Sequence, residues 1–206
     1  MMLRLTRSLT NVLATTILAG FSLSALAAPQ IGEPAPAFTG VDTSGKDWVL
    51  DELRGKRVIL EWTNHDCPYV KKHYETGNMQ ALQRDATADG YLWLSVISSA
   101  PGKQGHVGAE RADALTEQRQ AAPTAVLLDP SGDIGKAYGA RTTPHMFVID
   151  KDGTLVYMGG IDDRPSTDPA DVRGANNHVR AVLAELDAGD PVSQPATRPY
   201  GCSVKY

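Results

Sequence analysis

The chain has 206 residues, a formal net charge of −4, and 42% hydrophobic, 21% charged and 6% aromatic residues. These fractions are typical of a globular protein and exclude a disordered, collagen-like or polytopic membrane chain. The acidic balance argues against a nucleic-acid partner, since neutralising phosphates requires a clustered Lys/Arg surface. Two cysteines are too few for a disulfide scaffold or a four-thiolate zinc site, but they suffice for one disulfide or one redox pair.

The first segment predicts export. Residues 1–27 begin with Arg4 and Arg7, continue with an apolar centre, and end in a small-x-small pattern at residues 25–27. Because the apolar stretch is shorter than the about 20 residues that span a bilayer, a cleaved signal is favoured over a membrane anchor. We therefore predict a periplasmic or secreted protein with no membrane partner after cleavage. Disulfide chemistry is common in such compartments.

Five strands and four helical stretches are predicted after a hairpin-like stretch with its turn at residues 44–46. Apolar, β-branched and aromatic runs predict buried strands, and Asp152-Gly153 predicts a hairpin between the last two of them. In chain order, the predicted elements are a strand at 57–63, a helix that begins near Pro68, breaks near Gly77 and ends by Gly90, a strand at 91–97, a helix at 109–120, a strand at 124–128, a helix at 134–138, strands at 145–149 and 155–158, and one helix at 169–186.

This order predicts one α/β domain over residues 28–189. It is a sandwich with a mixed sheet, in which parallel crossovers come first and an antiparallel hairpin comes last. Residues 190–206 form a Pro-rich tail, predicted to be mobile, that carries Cys202. The sequence contains no phosphate loop, dinucleotide fingerprint or serine-hydrolase motif.

Cys67 lies between a predicted strand and the predicted helix at Pro68. Unpaired backbone N–H groups and the positive end of the helix dipole favour a thiolate at this position. The thiolate is the nucleophile in both disulfide exchange and peroxide reduction. The polar residues 64–66 argue against deep burial, so we predict a reactive, accessible sulfur rather than an inert core cysteine.

Thr143-Pro144 directly precedes a predicted strand, where proline fits because it cannot donate to the sheet ladder. Near this proline, His145 is a candidate proton donor, and Arg141 is a candidate group to stabilise a thiolate or a peroxide oxygen. For both residues the alternative is an ordinary structural role. The histidines near the first cysteine lack the spacing of a metal site, and neither a metal nor an organic cofactor is predicted.

Three strings stand out: Cys-Pro-Tyr-Val-Lys-Lys-His-Tyr at 67–74, Thr-Thr-Pro-His at 142–145, and Pro-Tyr-Gly-Cys-Ser-Val-Lys-Tyr at 199–206. With the order of elements, they resemble the thioredoxin superfamily, specifically the peroxiredoxin-like redoxins of the alkyl hydroperoxide reductase/thiol-specific antioxidant group. The resemblance covers about residues 30–206. It implies a thioredoxin-like sandwich with a central mixed sheet flanked by helices, and a cis Pro144 that faces Cys67.

The chain departs from this family at two places. Val70 stands where a thioredoxin site has its second cysteine. Leu60 and Asn64 stand where a peroxiredoxin site has Pro and Thr, and Thr63 is one residue out of register. The resemblance thus leaves thiol–disulfide exchange and hydroperoxide reduction both open. The active-site neighbours that it implies are Thr63, Pro68, Thr143 and Pro144.

Cys202 is the candidate partner of Cys67. As a resolving thiol it would attack the oxidised first cysteine and form a Cys67–Cys202 disulfide. The alternatives are a permanent structural disulfide, worth roughly 2–4 kcal/mol, and an unpaired or intermolecular thiol.

We predict a thiol-dependent oxidoreductase with Cys67 and Cys202 as catalytic residues. Its substrate would be a protein or small-molecule disulfide or a peroxide, and a thiol protein would supply its electrons. The alternative from another class is a non-catalytic binding or assembly module, in which the same two cysteines form a structural disulfide. Reactivity of Cys67 in the reduced protein separates these two hypotheses.

Overall fold

The computed structural model describes residues 28–206, and the predicted signal segment at 1–27 lies outside the described residues. The strands are β1 (Thr39–Asp42), β2 (Asp47–Val49), β3 (Val58–Trp62), β4 (Leu92–Ile97), β5 (Ala125–Leu128), β6 (Thr142–Thr143), β7 (His145–Ile149), β8 (Leu155–Gly159) and β9 (Cys202–Ser203). The helices are α1 (Pro68–Glu75), α2 (Asn78–Ala88), α3 (Ala109–Gln118), α4 (Asp133–Ala137) and α5 (His178–Ala188), with 3-10 helices at Leu50–Leu53 and Pro169–Gly174.

Seven strands form one mixed sheet in the order β2-β1-β5-β4-β3-β7-β8. β3, β4 and β5 run parallel, whereas β7 pairs antiparallel with β3 and then with β8. The predicted α/β sandwich is therefore confirmed, including its parallel crossovers and its final antiparallel hairpin. The two short strands β6 and β9 pair with each other in a second, two-stranded sheet.

The central strands are buried on both faces because their sequences are almost continuously apolar. All five residues of β3 and of β7 are buried. Along β3, Leu60 and Trp62 pack into one core cluster and Ile59 into the other. Fully burying a side chain of this size contributes about 1.5–3 kcal/mol. These strands thus form a rigid base for the loop that follows β3 and carries Cys67.

The predicted single helix at 169–186 is wrong. A 3-10 helix ends at Gly174, and α5 begins only at His178. Between them, Asn176 hydrogen-bonds to the Asp163 carboxylate, while the Asn177 side chain caps α5 by accepting from the Arg180 amide at 2.9 Å. Asparagine is a good N-cap because its side-chain oxygen accepts from an amide that has no backbone partner in the first turn. Together, the hydrogen bonds of the two asparagines hold the chain in an extended conformation between the two helices.

The tail that the sequence predicts to be mobile is hydrogen-bonded along the domain. The Met158 amide donates to the Pro195 carbonyl at 3.0 Å, and the Val204 amide donates to the Arg141 carbonyl at 3.1 Å. The Ala100 amide donates to the Lys205 carbonyl at 2.8 Å. Backbone pairing over this length fixes the path of the tail. Among residues 28–206, no helix is both long and apolar enough to cross a membrane.

Candidate active site

Cys67 is the N-cap residue of α1, and Pro68 occupies the first helical position. Proline is favoured there because its missing N–H has no partner in a first turn. The Cys67 carbonyl accepts from the Val70 and Lys71 amides at 3.0 and 2.9 Å, which fixes the start of the helix. The sulfur therefore lies at the positive end of the helix dipole, as the sequence predicts.

The Thr143–Pro144 peptide bond is cis and lies opposite this sulfur. The Cys67 thiol donates to the Thr143 carbonyl oxygen, with 3.1 Å between sulfur and oxygen. The geometry that the family resemblance implies is thus present. The structure brings three of the predicted neighbours, Pro68, Thr143 and Pro144, together around the cysteine.

Cys202 reaches the same place through strand pairing. β9 runs antiparallel to β6, so that Cys202 lies opposite Thr143. The preceding residue, Gly201, has φ +139°, and a Cβ at this position would overlap the Thr143 carbonyl oxygen. Glycine is therefore required for the tail to approach β6 this closely.

The two cysteines are free thiols, and Cys202 packs against the core cluster that contains Cys67. Burial raises the pKa of Cys202 to about 12, and the neighbouring Cys67 adds to this shift. The structure therefore holds the two sulfurs side by side, and no large movement is needed to join them.

The prediction of an accessible Cys67 is wrong, because this residue is 0% exposed whereas Cys202 is partly exposed. Tyr200 and Cys202 of the tail pack against the core cluster that contains the first cysteine. The neighbouring polar run is itself hydrogen-bonded. The Asn64 side chain accepts from the Asp66 amide at 2.9 Å and donates to the Gln104 carbonyl at 3.3 Å. Polar residues in a sequence thus need not bring their neighbour to the surface.

Two tyrosines anchor the tail on either side of Cys202. The Tyr200 hydroxyl donates to the Asp162 carboxylate, and its ring packs edge-on against Tyr69 with centroids 5.8 Å apart. The Tyr206 hydroxyl donates to the Ala140 carbonyl at 2.7 Å. Two glycines of the α4 region, Gly132 and Gly135, leave the space that the Tyr206 ring occupies.

Asp162 is the centre of a buried polar cluster behind α1. Its second carboxylate oxygen lies 3.8 Å from the Lys72 ammonium nitrogen and 3.9 Å from His73 Nε2. Burial lowers the pKa of His73 to about 4, although the Asp162 charge opposes this shift. The ring is therefore neutral near pH 7. Since the Asn78 amide nitrogen lies 2.9 Å from Nδ1, we assign the proton to Nε2, which donates to Tyr200 at 3.2 Å.

A second buried carboxyl group, Glu61 on β3, was not identified from the sequence. It is fully buried, and burial raises its pKa. Four side chains donate hydrogen bonds to it at 2.9–3.1 Å: Tyr74, Gln83, Trp93 and Ser95. Its signal in the sequence was a single charge inside the apolar run Val-Ile-Leu-Glu-Trp.

The side chains of the remaining predicted residues contact groups other than the two cysteine sulfurs. Thr63 is buried and lines a small cavity with Ser95 and Arg119. Arg141 is exposed, and its main-chain carbonyl binds the tail. His145 is buried, which lowers its pKa to about 3, and its Nδ1 lies 3.3 Å from the Arg141 amide.

His145 also stacks on Phe147 with centroids 4.4 Å apart, which gives the imidazole a packing role in β7. Within the part of the chain that the structure describes, no three His, Cys, Asp or Glu side chains are grouped so that they could hold a metal ion.

A match to a family model shows to which protein family the chain belongs. The AhpC/TSA family model matches residues 31–158. This chain belongs to the AhpC/TSA family. It is a thioredoxin-superfamily redoxin, as its sequence strings imply. The matched region includes Cys67 and the cis proline but ends before the tail, so Cys202 lies outside it.

Curated relatives of the chain include thiol-disulfide oxidoreductases. The chain is 28% identical over 130 residues to a thiol-disulfide oxidoreductase ResA of Bacillus thuringiensis subsp. konkukian, covering 62% of this chain and 68% of the relative. A ResA of Bacillus cereus matches to the same extent. The AhpC/TSA redoxin is thus related to thiol-disulfide oxidoreductases.

Solved structures share the whole fold of this redoxin. An uncharacterized conserved protein from Geobacillus kaustophilus is 24% identical with a TM-score of 0.73, over 86% of this chain and 92% of that chain. A hypothetical protein from Sinorhizobium meliloti is 25% identical with a TM-score of 0.71, over 87% of this chain and 96% of that chain. The thioredoxin-like arrangement therefore extends over most of the described residues.

Proposed function

We propose that this redoxin is an exported thiol–disulfide oxidoreductase, in which Cys67 attacks a disulfide substrate and Cys202 resolves the product. The observation that carries the proposal is that both cysteines meet at Thr143, which pairs with Cys202 and whose carbonyl oxygen accepts from the Cys67 thiol. A cysteine pair held in this way can pass two electrons to a substrate and close into a disulfide.

The reaction balances in two steps. The Cys67 thiolate attacks one sulfur of the substrate disulfide, whose S–S bond breaks, and the first substrate sulfur leaves as a thiolate. Cys202 then loses its proton and attacks the Cys67 sulfur, which releases the second substrate thiolate. The substrate gains two electrons, and Cys67 and Cys202 become a disulfide.

The mixed disulfide itself activates Cys202. Its pKa is raised by burial first, and then by the neighbouring Cys67. A Cys67 sulfur that is bound to a substrate has no negative charge, so it no longer opposes ionisation of Cys202. Cys202 therefore ionises more easily at the step in which it has to attack.

The substrate reaches Cys67 when the tail lifts from β6. In the reduced protein this segment is held by noncovalent contacts only, since both cysteines are free thiols. The opening breaks the two-residue β6–β9 pairing and the flanking hydrogen bonds of Val204 and Lys205. Noncovalent opening of a short surface strand requires far less free energy than global unfolding.

The hydrogen-bond partner of the Cys67 sulfur favours disulfide exchange over hydroperoxide reduction. The Cys67 thiol faces a carbonyl oxygen, that of Thr143, which accepts hydrogen bonds and cannot donate one to a peroxide. The three predicted side chains that could donate have other surroundings, since Thr63 lines the cavity near α3, Arg141 is exposed and His145 packs against Phe147. The relationship to ResA supports the same choice.

The signal-like segment at residues 1–27 supports a periplasmic or secreted location. There a thiol protein would return two electrons to the Cys67–Cys202 disulfide, and no metal or organic cofactor enters the cycle.

The test is single-turnover oxidation of the reduced mature protein by a disulfide-containing peptide and, separately, by hydrogen peroxide. Wild type is compared with Cys67→Ser and Cys202→Ser, and the products are identified by mass spectrometry. We expect the peptide to convert wild type to an internal disulfide, Cys202→Ser to stop as a peptide adduct on Cys67, and Cys67→Ser to remain reduced.

Faster oxidation by peroxide than by the peptide would assign the protein to hydroperoxide reduction. If neither reagent oxidises the wild type, or if the internal disulfide resists millimolar thiols, the oxidoreductase proposal is wrong. The same two cysteines would then serve a structural disulfide in a binding or assembly module.

A further inference from the structure

A cleft of about 350 Å³ lies between the sheet and the tail, a volume within the range of about 300–1,000 Å³ that is typical of small-molecule sites. Its walls include Tyr138, Arg141, His145, Phe147, Met158 and Pro199. Tyr138 and Phe147 belong to the core cluster that does not contain Cys67, so the cleft is separate from the candidate active site. We propose that this cleft binds a small carboxylic acid with an apolar body, and that Arg141 and His145 hold its carboxylate.

His145 supplies a hydrogen-bond donor in the wall of the cleft. The residue is buried, with 4% of its surface exposed. The Arg141 amide lies 3.3 Å from Nδ1, and because an amide can only donate, Nδ1 is the acceptor and Nε2 carries the proton. Within residues 28–206, no group accepts a hydrogen bond from Nε2. Since buried polar groups are normally paired, this N–H is suited to an acceptor on a ligand.

Arg141 supplies the positive charge. Its side chain is exposed and lines the cleft. After burial, its charge is the second cause of the lowered pKa of His145, which places the guanidinium near the imidazole. The ion pairs of the described residues involve other arginines, so this guanidinium is left for a ligand. A planar guanidinium matches the two oxygens of a carboxylate.

The rest of the cleft selects the body of the ligand. Phe147, Met158 and Pro199 present apolar surface. A phosphate or sulfate has oxygens beyond the two that Arg141 and His145 can pair, and these would lose their hydration against apolar walls. A carboxylate has two oxygens, and an apolar chain or ring attached to it would pack against the same walls. The chemistry therefore favours a monocarboxylate over other anions.

The tail forms one side of the cleft, through Ala196, Thr197 and Pro199. This stretch pairs with β8, since the Thr197 amide donates to the Met158 carbonyl at 3.2 Å. A ligand that contacts both the sheet and the tail binds the docked tail more tightly than the lifted one. By linkage, it favours docking to the same extent. Occupation of the cleft should therefore reduce access to Cys67.

The experiment titrates 3-phenylpropionate into the reduced mature protein and follows the protein by ¹H–¹⁵N NMR. We expect saturable shifts of the Arg141 and Phe147 amides and of the His145 Nε2–H signal. Arg141→Gln should raise the Kd by about tenfold or more, because a charged hydrogen-bond donor is lost. Arg84→Gln is the matched control, since Arg84 is an exposed arginine of α2 outside the cleft, and it should bind with the wild-type Kd.

Two further probes test the chemistry of the ligand. The neutral 3-phenylpropanamide has the same shape and should bind about tenfold more weakly than the carboxylate. Inorganic phosphate should neither shift these signals nor compete with 3-phenylpropionate. Competition by phosphate at equal concentration would overturn the assignment to carboxylates.

The contribution of the tail is tested by labelling Cys67 with N-ethylmaleimide, measured by mass spectrometry of its peptide. Saturating 3-phenylpropionate should slow this labelling several-fold in wild type and have no effect in Arg141→Gln. An unchanged rate in the wild type would overturn the tail as a wall of the site.

The site as a whole is overturned if millimolar 3-phenylpropionate gives no saturable shifts, or if Arg141→Gln binds it as tightly as wild type does. These measurements need no turnover by the cysteines. Their failure would leave the proposed oxidoreductase function intact, and failure of that function would leave the carboxylate site intact.

Discussion

Two buried carboxyl groups in this redoxin differ in what they hold together. Glu61 accepts hydrogen bonds from four side chains of α1, α2 and β4, so its partners all belong to the sandwich. Asp162 accepts from Tyr200 of the tail and lies near Lys72 and His73 of α1. The first group stabilises the domain, whereas the second connects the domain to the segment that carries Cys202.

The comparison shows how a fold shared across a large superfamily can acquire a second cysteine close to the first. The matched family region ends at residue 158, before the tail. The sandwich itself supplies the Cys67 site and the cis proline. The residues after 158 supply the tail with Cys202 and its anchor Asp162, while β6 of the matched region supplies the strand with which Cys202 pairs. Changes in the two clusters should therefore affect different properties of the protein.

Glu61→Ala tests the domain cluster and should have the largest effect. Four buried donors would lose their acceptor and a cavity would remain, so we expect the free energy of unfolding to fall by about 3–5 kcal/mol. Urea denaturation measures this change. The exposed Glu117→Ala on α3 is the control and should stay within about 0.5 kcal/mol of wild type. A loss below about 1 kcal/mol for Glu61→Ala would contradict the account.

Gly201→Ala tests the close approach of the tail. A Cβ there would overlap the Thr143 carbonyl, and φ +139° is a region that only glycine adopts readily. We expect the rate of internal disulfide formation with oxidised glutathione to fall by about tenfold or more, since the strain of about 1–3 kcal/mol acts on docking.

Gly174→Ala provides the matched control for this variant, because nothing lies within 4 Å of its Cβ position. Its rate of disulfide formation should equal that of wild type. Equal rates in the two alanine variants would show that β9 need not pair with β6 for the cysteines to react.

Tyr200→Phe tests the tail cluster while keeping the aromatic ring. Loss of the hydroxyl removes its hydrogen bonds to Asp162 and His73, and we expect a cost of about 1–2 kcal/mol in tail docking. Alkylation of Cys67 in the reduced protein should accelerate several-fold. Tyr69→Phe keeps the edge-on contact with the Tyr200 ring and should alkylate at the wild-type rate. Protection of Cys67 that is unchanged in Tyr200→Phe would argue against the anchor.

The contributions of the two clusters to stability should also change with pH in opposite directions. This is the smallest of the expected effects. The folded pKa of His73 is lowered from 6.5 to about 4, so its contribution to stability is present above pH 6.5 and is lost as pH falls towards 4. The folded pKa of Glu61 is raised above 4.5, so its unfavourable contribution grows as pH rises above 4.5 and is relieved on acidification.

His73→Gln isolates the histidine contribution. Between pH 7 and pH 5.5, one neutral buried histidine costs about 1 kcal/mol of unfolding free energy, because the unfolded chain takes up a proton that the folded chain does not. The variant should lose this part of the pH dependence in urea denaturation at the two pH values. An identical pH dependence in wild type and variant would mean that the pKa of His73 is the same in the folded and unfolded protein, which would contradict the lowered pKa.

The sandwich could be predicted from the sequence because each buried strand is a continuous apolar run and the final hairpin has an Asp-Gly turn. The family resemblance implied that Pro144 is cis and faces Cys67. These features depend on local patterns or on residues that the family shares, and they are therefore visible in a single chain.

The docked tail and Glu61 could not be predicted in the same way. Tyr200 and Asp162 are 38 residues apart, and only the folded chain shows that they meet. Glu61 is a single charged residue in an apolar strand. It can be buried there because side chains of three other elements donate hydrogen bonds to it. The burial of Cys67 follows from the tail and was thus missed together with it.

The most direct test of the central claim is a redox titration of the mature protein in glutathione buffers, followed by intact mass spectrometry after alkylation. The account predicts a single two-electron transition to one internal disulfide. This species takes up no alkylating reagent and is about 2 Da lighter than the unalkylated reduced chain. Cys67→Ser and Cys202→Ser should show no such species. Separate glutathione adducts on the two cysteines of wild type, without an internal disulfide, would contradict the claim that the docked tail makes them one redox pair.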